Sequence, residues 1–391
     1  MRRSLRRQAD DTVPYDRDRI RSGGVSARRT SKGDGPRGAR QSRRPRPGTP
    51  RPRRRGSIGR TLGIIALLVL LAVIVVGVLI GLRAATFNAT VSSATFPSTA
   101  LLGPLNGSDR VNVLMVGYGG GDHDGAYLAD SIQIMSVDPA TDTTTTIPIP
   151  RDLWIEGVTA FPQNGKVNTV FSAGHAAGGL DGAAQLLADV LGDVTGLTID
   201  HALSIDFDGF RDMVDSIGGV TVDNPTAFAY TNTEARHRAG DWNVGSFDAG
   251  ELQMDGDEAL AYSRARFTSV VAESTDFARS IRQARVLGAM RAELGAGGIS
   301  SILPGLRLMD ALEGRVRTDL SAIDLFLLSS HLSSDRRIEL SEGIVLAATT
   351  NTIGQYILIP TDWTGPGSYG GVRSHLAREL DRPPDSSTDA P

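Results

Sequence analysis

The chain has 391 residues, enough for one large domain or two ordinary ones with tails. It contains no cysteine, which excludes disulfides, thiol catalysis and cysteine-ligated metals. Its charge is divided: residues 1–60 hold 20 of the 41 Lys and Arg and 5 of the 44 Asp and Glu, about +15, and the rest carries about −18, so the net −3 describes neither part.

Residues 1–60 are rich in Arg, Pro, Gly and Ser and almost devoid of apolar side chains. Such a segment cannot bury enough surface to fold alone and is expected to be a disordered basic arm. Next to a membrane it is drawn to anionic lipid headgroups, and no nucleic-acid partner is expected. Thr61–Leu82 is an uncharged apolar run, long enough to cross a bilayer and too long, and too far into the chain, for a signal peptide. Arg54, Arg55 and Arg60 precede it, and the flank after Arg83 is almost uncharged. The positive-inside rule therefore predicts a single-pass protein of the cell membrane, with residues 61–83 as the span, the N-terminus cytoplasmic and the remainder outside.

Residues 84–108 read as a polar stalk, 109–380 as the folded domain and 381–391 as a disordered tail. In the domain, RVNVLMVGY is a buried strand ending in glycines Gly119 to Gly121, DSIQIMSVD a second strand and TTTTIPIP a third. Helices are predicted at Gly182–Leu191, Asp208–Ile217, Asp276–Leu294, Pro304–Leu312 and Leu320–Leu332; strands at His201–Phe207, Gly219–Asp223 and Gln355–Pro360. In Asp276–Leu294 the residues recurring at helical spacing are Phe277, Ile281, Ala284 and Leu287. The alternation predicts an α/β fold, a mixed central β-sheet flanked by helices.

Four separated segments carry charge where patterning predicts core. They are Asp130-Ser131 opening a strand, Arg151-Asp152 closing one, Lys166 and Asn168 in NGKVN, and the cluster from Arg264 to Gln283. Ends of adjacent strands in an α/β sheet converge on one crevice, so these segments can meet. The cluster holds Arg264, Arg266, Arg279 and Arg282 beside small and apolar residues. Guanidiniums next to an apolar wall suit a ligand that is both phosphorylated and greasy. If Arg264 and Arg266 are to point the same way, YSRAR must be extended. His123, His175, His201 and His237 have no metal-ligand spacing, and there is no nucleophilic serine elbow.

In their order VNVLMVGYGG, LADSIQIMSVDP, IPIPRDLW, GKVNTVFSAGH, IDHALSIDFDGFRDMVDSIGGVTVDNP, LQMDGDEALAYSRARF and DFARSIRQ, the segments of residues 110–294 resemble the LytR-CpsA-Psr family of bacterial cell-envelope phosphotransferases. Residues 295–391 carry no recognised motif. The resemblance implies transfer of a glycopolymer from an undecaprenyl-pyrophosphate carrier to a peptidoglycan hydroxyl, forming a phosphodiester. Its partners would be the polyprenyl-pyrophosphate-linked glycopolymer, peptidoglycan and membrane lipids. A pyrophosphatase acting on the same lipid, or a non-catalytic envelope regulator that binds polyprenyl lipid, are the alternatives. Carried over by motif, Arg151, Arg264, Arg266, Arg279, Arg282 and Gln283 would take the pyrophosphate, with Lys166 adding a point charge. Asp130 and Asp276 would serve Mg²⁺ (or Mn²⁺), a hard ion that favours oxygen ligands; either carboxylate, or Asp152, could instead orient a guanidinium. The chain departs from the family pattern at Tyr118-Gly119, where members often carry a metal-site aspartate, and at Leu128, where they often carry arginine. Asp122 or Asp124 is the available substitute, and the glycine run offers backbone N–H groups to phosphate.

Overall fold

The computed structural model describes residues 57–92, 110–121, 125–141, 143–240, 244–295, 302–325 and 336–382. Residues 1–56, most of the expected stalk, Asp122, Asp124 and residues 383–391 lie outside the described residues. The chain divides into two units, Met1–Leu62 and Gly63–Pro391, and the architecture is that of the second.

The first helix, α1, runs Ser57–Val91. Its Ile74–Val91 stretch is long and apolar enough to cross a membrane, and large apolar side chains from Leu70 to Leu82 are exposed. The expected stalk differs at its start, because residues 84–91 continue this helix. Phe87 and Val91, one turn apart, share a face and are buried against Leu312, Val316 and Ala322. Asn88 accepts a hydrogen bond from the Ala322 amide at 2.9 Å, and Arg83 pairs with Asp310 at 2.5 Å. Burial of that stripe favours helix over a solvated coil.

Strands β1 (Val111–Tyr118), β2 (Ala129–Asp138) and β3 (Thr143–Pro148) follow, then helix α2 (Val167–Thr195), β4 (His201–Asp206), helix α3 (Phe207–Ser216), β5 (Val220–Asn224) and β6 (Phe228–Thr231). After β7 (Gly250–Met254) come helices α4 (Gly256–Arg264), α5 (Asp276–Gly295) and α6 (Ile302–Leu312). Short strands β8 (Val316–Thr318) and β9 (Arg336–Arg337) follow, then the hairpin β10 (Leu346–Thr350) and β11 (Tyr356–Pro360), and helix α7 (Gly370–Asp381). Of the expected Leu320–Leu332 helix, Ala322–Leu325 is helical and residues 326–332 lie outside the described residues.

The main sheet has the order β8-β4-β1-β2-β3-β9 and is mixed: β1 pairs antiparallel with β2 and parallel with β4. Because β1 is apolar at both parities, both faces of the sheet are covered. Leu114, Val116, Ile132 and Ile134 pack into the core that includes Leu187 and Leu191 of α2 and Val372 and Leu376 of α7. Val111, Val113, Met135 and Val137 face the other way, onto Leu320. A second core, with Val214, Val222, Tyr262 and Val286, holds α3, β5, α4 and α5 together.

Glycines fix the local path at two places. In α2 the chain breaks at Gly178-Gly179, the latter at φ 64°, and the two limbs touch where a Cβ on Gly174 would stand 2.4 Å from the Gly182 carbonyl oxygen. After β1, Gly120 sits at φ 72° with its Cα against Asp206, leaving 2.9 Å for a Cβ. This brings the loop after β1 against the end of β4. The start of β2 and the end of β3 lie at the same end of the sheet.

Candidate active site

At that end the chain leaves β3 through Pro148-Ile149-Pro150, whose prolines cannot donate to a ladder. Arg151 then turns back, donating from Nη1 to Asp130 Oδ1 at 3.0 Å. Its Nε lies 3.7 Å from Asp152 and 3.8 Å from Asp276 but is buried without a hydrogen-bond partner in the protein. Asp276, the first residue of α5, stands 3.7 Å from Arg266 and 3.4 Å from Arg279; a carboxylate there also complements the helix dipole. Arg264 approaches Asp130 at 3.8 Å, its guanidinium 4.0 Å from the centre of the Phe207 ring. Arg279 is 7% exposed. Burial, reinforced by Arg151 and Arg266 and opposed by Asp276, pushes its pKa down to about 10, still fully protonated at neutral pH.

Two cavities meet here, of about 700 Å³ and about 470 Å³. Asp130, Arg151, Arg266, Arg279 and Gln283 line both and form the wall between them. The larger cavity continues past apolar side chains, among them Ile132, Ile149, Phe277, Leu340 and Leu358, with Glu339 and Glu342 also in its lining. Gln283 accepts from Ser131 Oγ at 3.0 Å, which fixes its amide on the wall. Charged, forked donors at the head of an apolar cavity are suited to a phosphate carrying a hydrocarbon.

The structure corrects three expectations. YSRAR is not extended: Asp255 caps α4 through a capping box with Glu258, and Arg264 is that helix's last residue. Ala265, at φ −53° and ψ 125°, turns the chain so that Arg264 and Arg266 still reach the same cluster. Arg282 lines neither cavity. It is 0% exposed and donates to the carbonyls of Tyr262, Ala265 and Glu273 and to Glu273 Oε2, the last at 2.6 Å. It is a brace behind the arginines, and burial, opposed by Glu273, lowers its pKa. Lys166 also lines neither cavity; its Nζ donates to Asp152 Oδ1 at 2.6 Å. Burial pushes the Asp152 carboxyl up, but the Lys166 hydrogen bond and the Arg151 and Lys166 charges outweigh it and hold the group below the usual carboxylate range. The NGKVN segment acts on the site through its backbone: Val167 and Asn168 amides donate to the Leu153 and Arg151 carbonyls at 2.8 and 3.3 Å.

The remaining expected residues, Asp130, Arg151, Arg264, Arg266, Asp276, Arg279 and Gln283, are brought together. Arg211, Tyr230, Thr231, Asn232 and Asp257 of the smaller cavity went unrecognised, since nothing in their spacing ties them to the arginines. Asp122 and Asp124 lie outside the described residues, and no group of three or more His, Cys, Asp or Glu forms a metal cage among those described.

The LytR_cpsA_psr family model matches residues 84–359. The chain belongs to that family. The match extends beyond residue 294, into the last strand of the β10–β11 hairpin. Among relatives, the polyisoprenyl-teichoic acid–peptidoglycan teichoic acid transferase TagU of Halalkalibacterium halodurans is 28% identical over 274 residues, 70% of this chain and 81% of that protein. TagU of Bacillus subtilis is 30% identical over 233 residues, 60% of this chain and 67% of that one. The crystal structure of B. subtilis TagV shares the fold at a TM-score of 0.53 and 22% identity, covering 71% of this chain and 100% of the other. Protein gbs0355 of Streptococcus agalactiae does so at 0.55 and 21%, covering 74% and 93%.

Proposed function

We propose that this chain transfers a glycopolymer from a polyprenyl-pyrophosphate carrier to a peptidoglycan hydroxyl, forming a phosphodiester. The observation that carries the reading is the arginine wall at the head of a cavity with apolar side chains along it. The relatives' named activity as peptidoglycan teichoic acid transferases supports it. Phosphoryl transfer asks the protein mainly for positioning and charge stabilisation. Arg151, Arg264, Arg266 and Arg279 bind the pyrophosphate oxygens through their forked donors. Asp130 and Asp276 hold those guanidiniums in place before the ligand arrives. The polyprenyl chain occupies the larger cavity.

Asp130 and Asp276 also fit Mg²⁺ (or Mn²⁺), which is commonly held by one or two carboxylates with substrate phosphate oxygens completing its shell. Bound there, the ion would neutralise charge on the phosphates. The α1 span and the basic arm before it orient the domain on the outer side of the membrane, where the carrier presents its polymer.

The test is ligation of a lipid-pyrophosphate saccharide to peptidoglycan fragments by the full chain in detergent, wild type against Arg264→Ala with Arg279→Ala. Loss of the adduct is expected in the double variant, and undiminished ligation refutes the assignment. Free sugar phosphate without adduct from the wild type identifies a pyrophosphatase instead, and lipid binding without turnover a regulator.

A further inference from the structure

The smaller cavity, about 470 Å³, differs in chemistry from the larger one. Beyond the shared wall it is lined by Arg211 of α3, by Tyr230, Thr231 and Asn232 at the end of β6, and by Asp257 of α4. Thr231 is 2% exposed and its Oγ1 has no hydrogen-bond partner in the protein. An unpaired buried hydroxyl costs roughly 1–3 kcal/mol, so this wall of the cavity carries an unmet polar group just beneath its surface. Arg211 is paired with Asp208 and stands 3.4 Å from Asp257, an exposed guanidinium–carboxylate edge with both donors and acceptors. The Tyr230 ring is held firmly. It stacks on Phe247 at 5.6 Å and 13°, and Gly245 lies so close by that a Cβ there would stand 2.8 Å from the ring. A fixed aromatic face, a carboxylate, a guanidinium, an amide and a hydroxyl are the donor and acceptor set that a saccharide engages, with its C–H face on the ring and its hydroxyls on the polar groups.

The position is as telling as the chemistry. In phosphoryl transfer the attacking and leaving oxygens lie roughly in line across phosphorus. If the polyprenyl phosphate departs into the larger cavity, the attacking hydroxyl must enter from the opposite side of the arginine wall. That side is the smaller cavity, since the two share only Asp130, Arg151, Arg266, Arg279 and Gln283.

We infer that the smaller cavity is the acceptor site, which binds a peptidoglycan glycan chain and presents one of its hydroxyls to the phosphate; the inference rests on the transfer reading above. The acceptor oxygen forms a bond to the phosphorus that bears the polymer. The bridging P–O bond breaks, its electron pair leaves on the polyprenyl phosphate, and the hydroxyl proton ends on that phosphate. The polymer, attached through a third oxygen, occupies neither end of the line.

The experiment measures steady-state transfer by the full chain in detergent, with a short-chain polyprenyl-pyrophosphate saccharide as donor and a soluble peptidoglycan oligosaccharide as acceptor. In Thr231→Val with Asn232→Ala the acceptor KM should rise about tenfold or more and the donor KM should stay within twofold. Asn232→Ala alone, at an exposed position, tests the same site without disturbing the fold and should raise the acceptor KM severalfold. Wild-type transfer with an unchanged acceptor KM in both variants overturns the acceptor site and leaves the transfer reading standing. A rise in donor KM instead overturns it by assigning this cavity to the polymer. A wild type that forms no adduct overturns both.

Discussion

Arg282 separates a brace from a ligand-binding residue. Truncation to alanine removes donors from three backbone carbonyls and from the Glu273 carboxylate, whose side chain is 13% exposed. Breaking one partner of a buried pair costs roughly 3–5 kcal/mol, and with Arg282 fully enclosed, solvent screening gives little relief. Against a total stability of about 5–15 kcal/mol, that is a large share. At about 2–4 °C per kcal/mol, Arg282→Ala should lower the melting temperature by roughly 10 °C. Glu273 lines neither cavity, yet Glu273→Gln should also destabilise, because it leaves the guanidinium short of its counter-charge. The double variant should cost less than the sum of the two, since both remove the same interaction. Urea unfolding of the four proteins in detergent measures the cycle. If Arg282→Ala unfolds within 0.5 kcal/mol of wild type while transfer is abolished, the side chain is a phosphate ligand and the bracing account is wrong.

Three further expectations concern the surroundings of the wall. The Asp152 pKa is lowered in the folded chain, so its stabilising contribution is complete above the ordinary range near 4 and is lost as pH falls through the lower native value. Lys166→Met removes the hydrogen bond that offsets burial, and the midpoint of acid unfolding followed by circular dichroism should move to higher pH; an unmoved midpoint excludes that role. Gly174→Ala drives a Cβ to 2.4 Å from the Gly182 oxygen, and a loss of roughly 1–3 kcal/mol or more is expected in urea unfolding; wild-type stability refutes the contact between the two limbs of α2. Removal of divalent ions with EDTA should abolish transfer without lowering the melting temperature much, and Mg²⁺ or Mn²⁺ should restore it. Full turnover in EDTA excludes a metal at Asp130 and Asp276.

The central strands were legible because β1 and β2 are apolar at both parities, a pattern that only a sheet covered on both faces explains. The arginines of the wall were legible as a set, through their motifs and charge, but their roles depended on helix phase. In α5 the buried stripe is Ala278, Arg282, Val286 and Met290, one residue away from the set that begins at Phe277, and Phe277 itself is exposed at the larger cavity. Set in that stripe, Arg282 must point into the second core, whereas Arg279 and Gln283, one turn apart, face the two cavities. An arginine at a core position of an amphipathic helix is therefore the signal that was available, and its meaning is a brace that counts carbonyls. The capping box of Asp255 and Glu258 was readable in the same way, and it makes YSRAR a helix end in place of a strand. The smaller cavity was not readable at all: Thr231 and Arg211 are 20 residues apart in sequence and gain meaning only when β6 and α3 bring them to one opening. What the fold adds to the motif is thus direction. The motif names the cations, and the second core decides which of them face the two cavities.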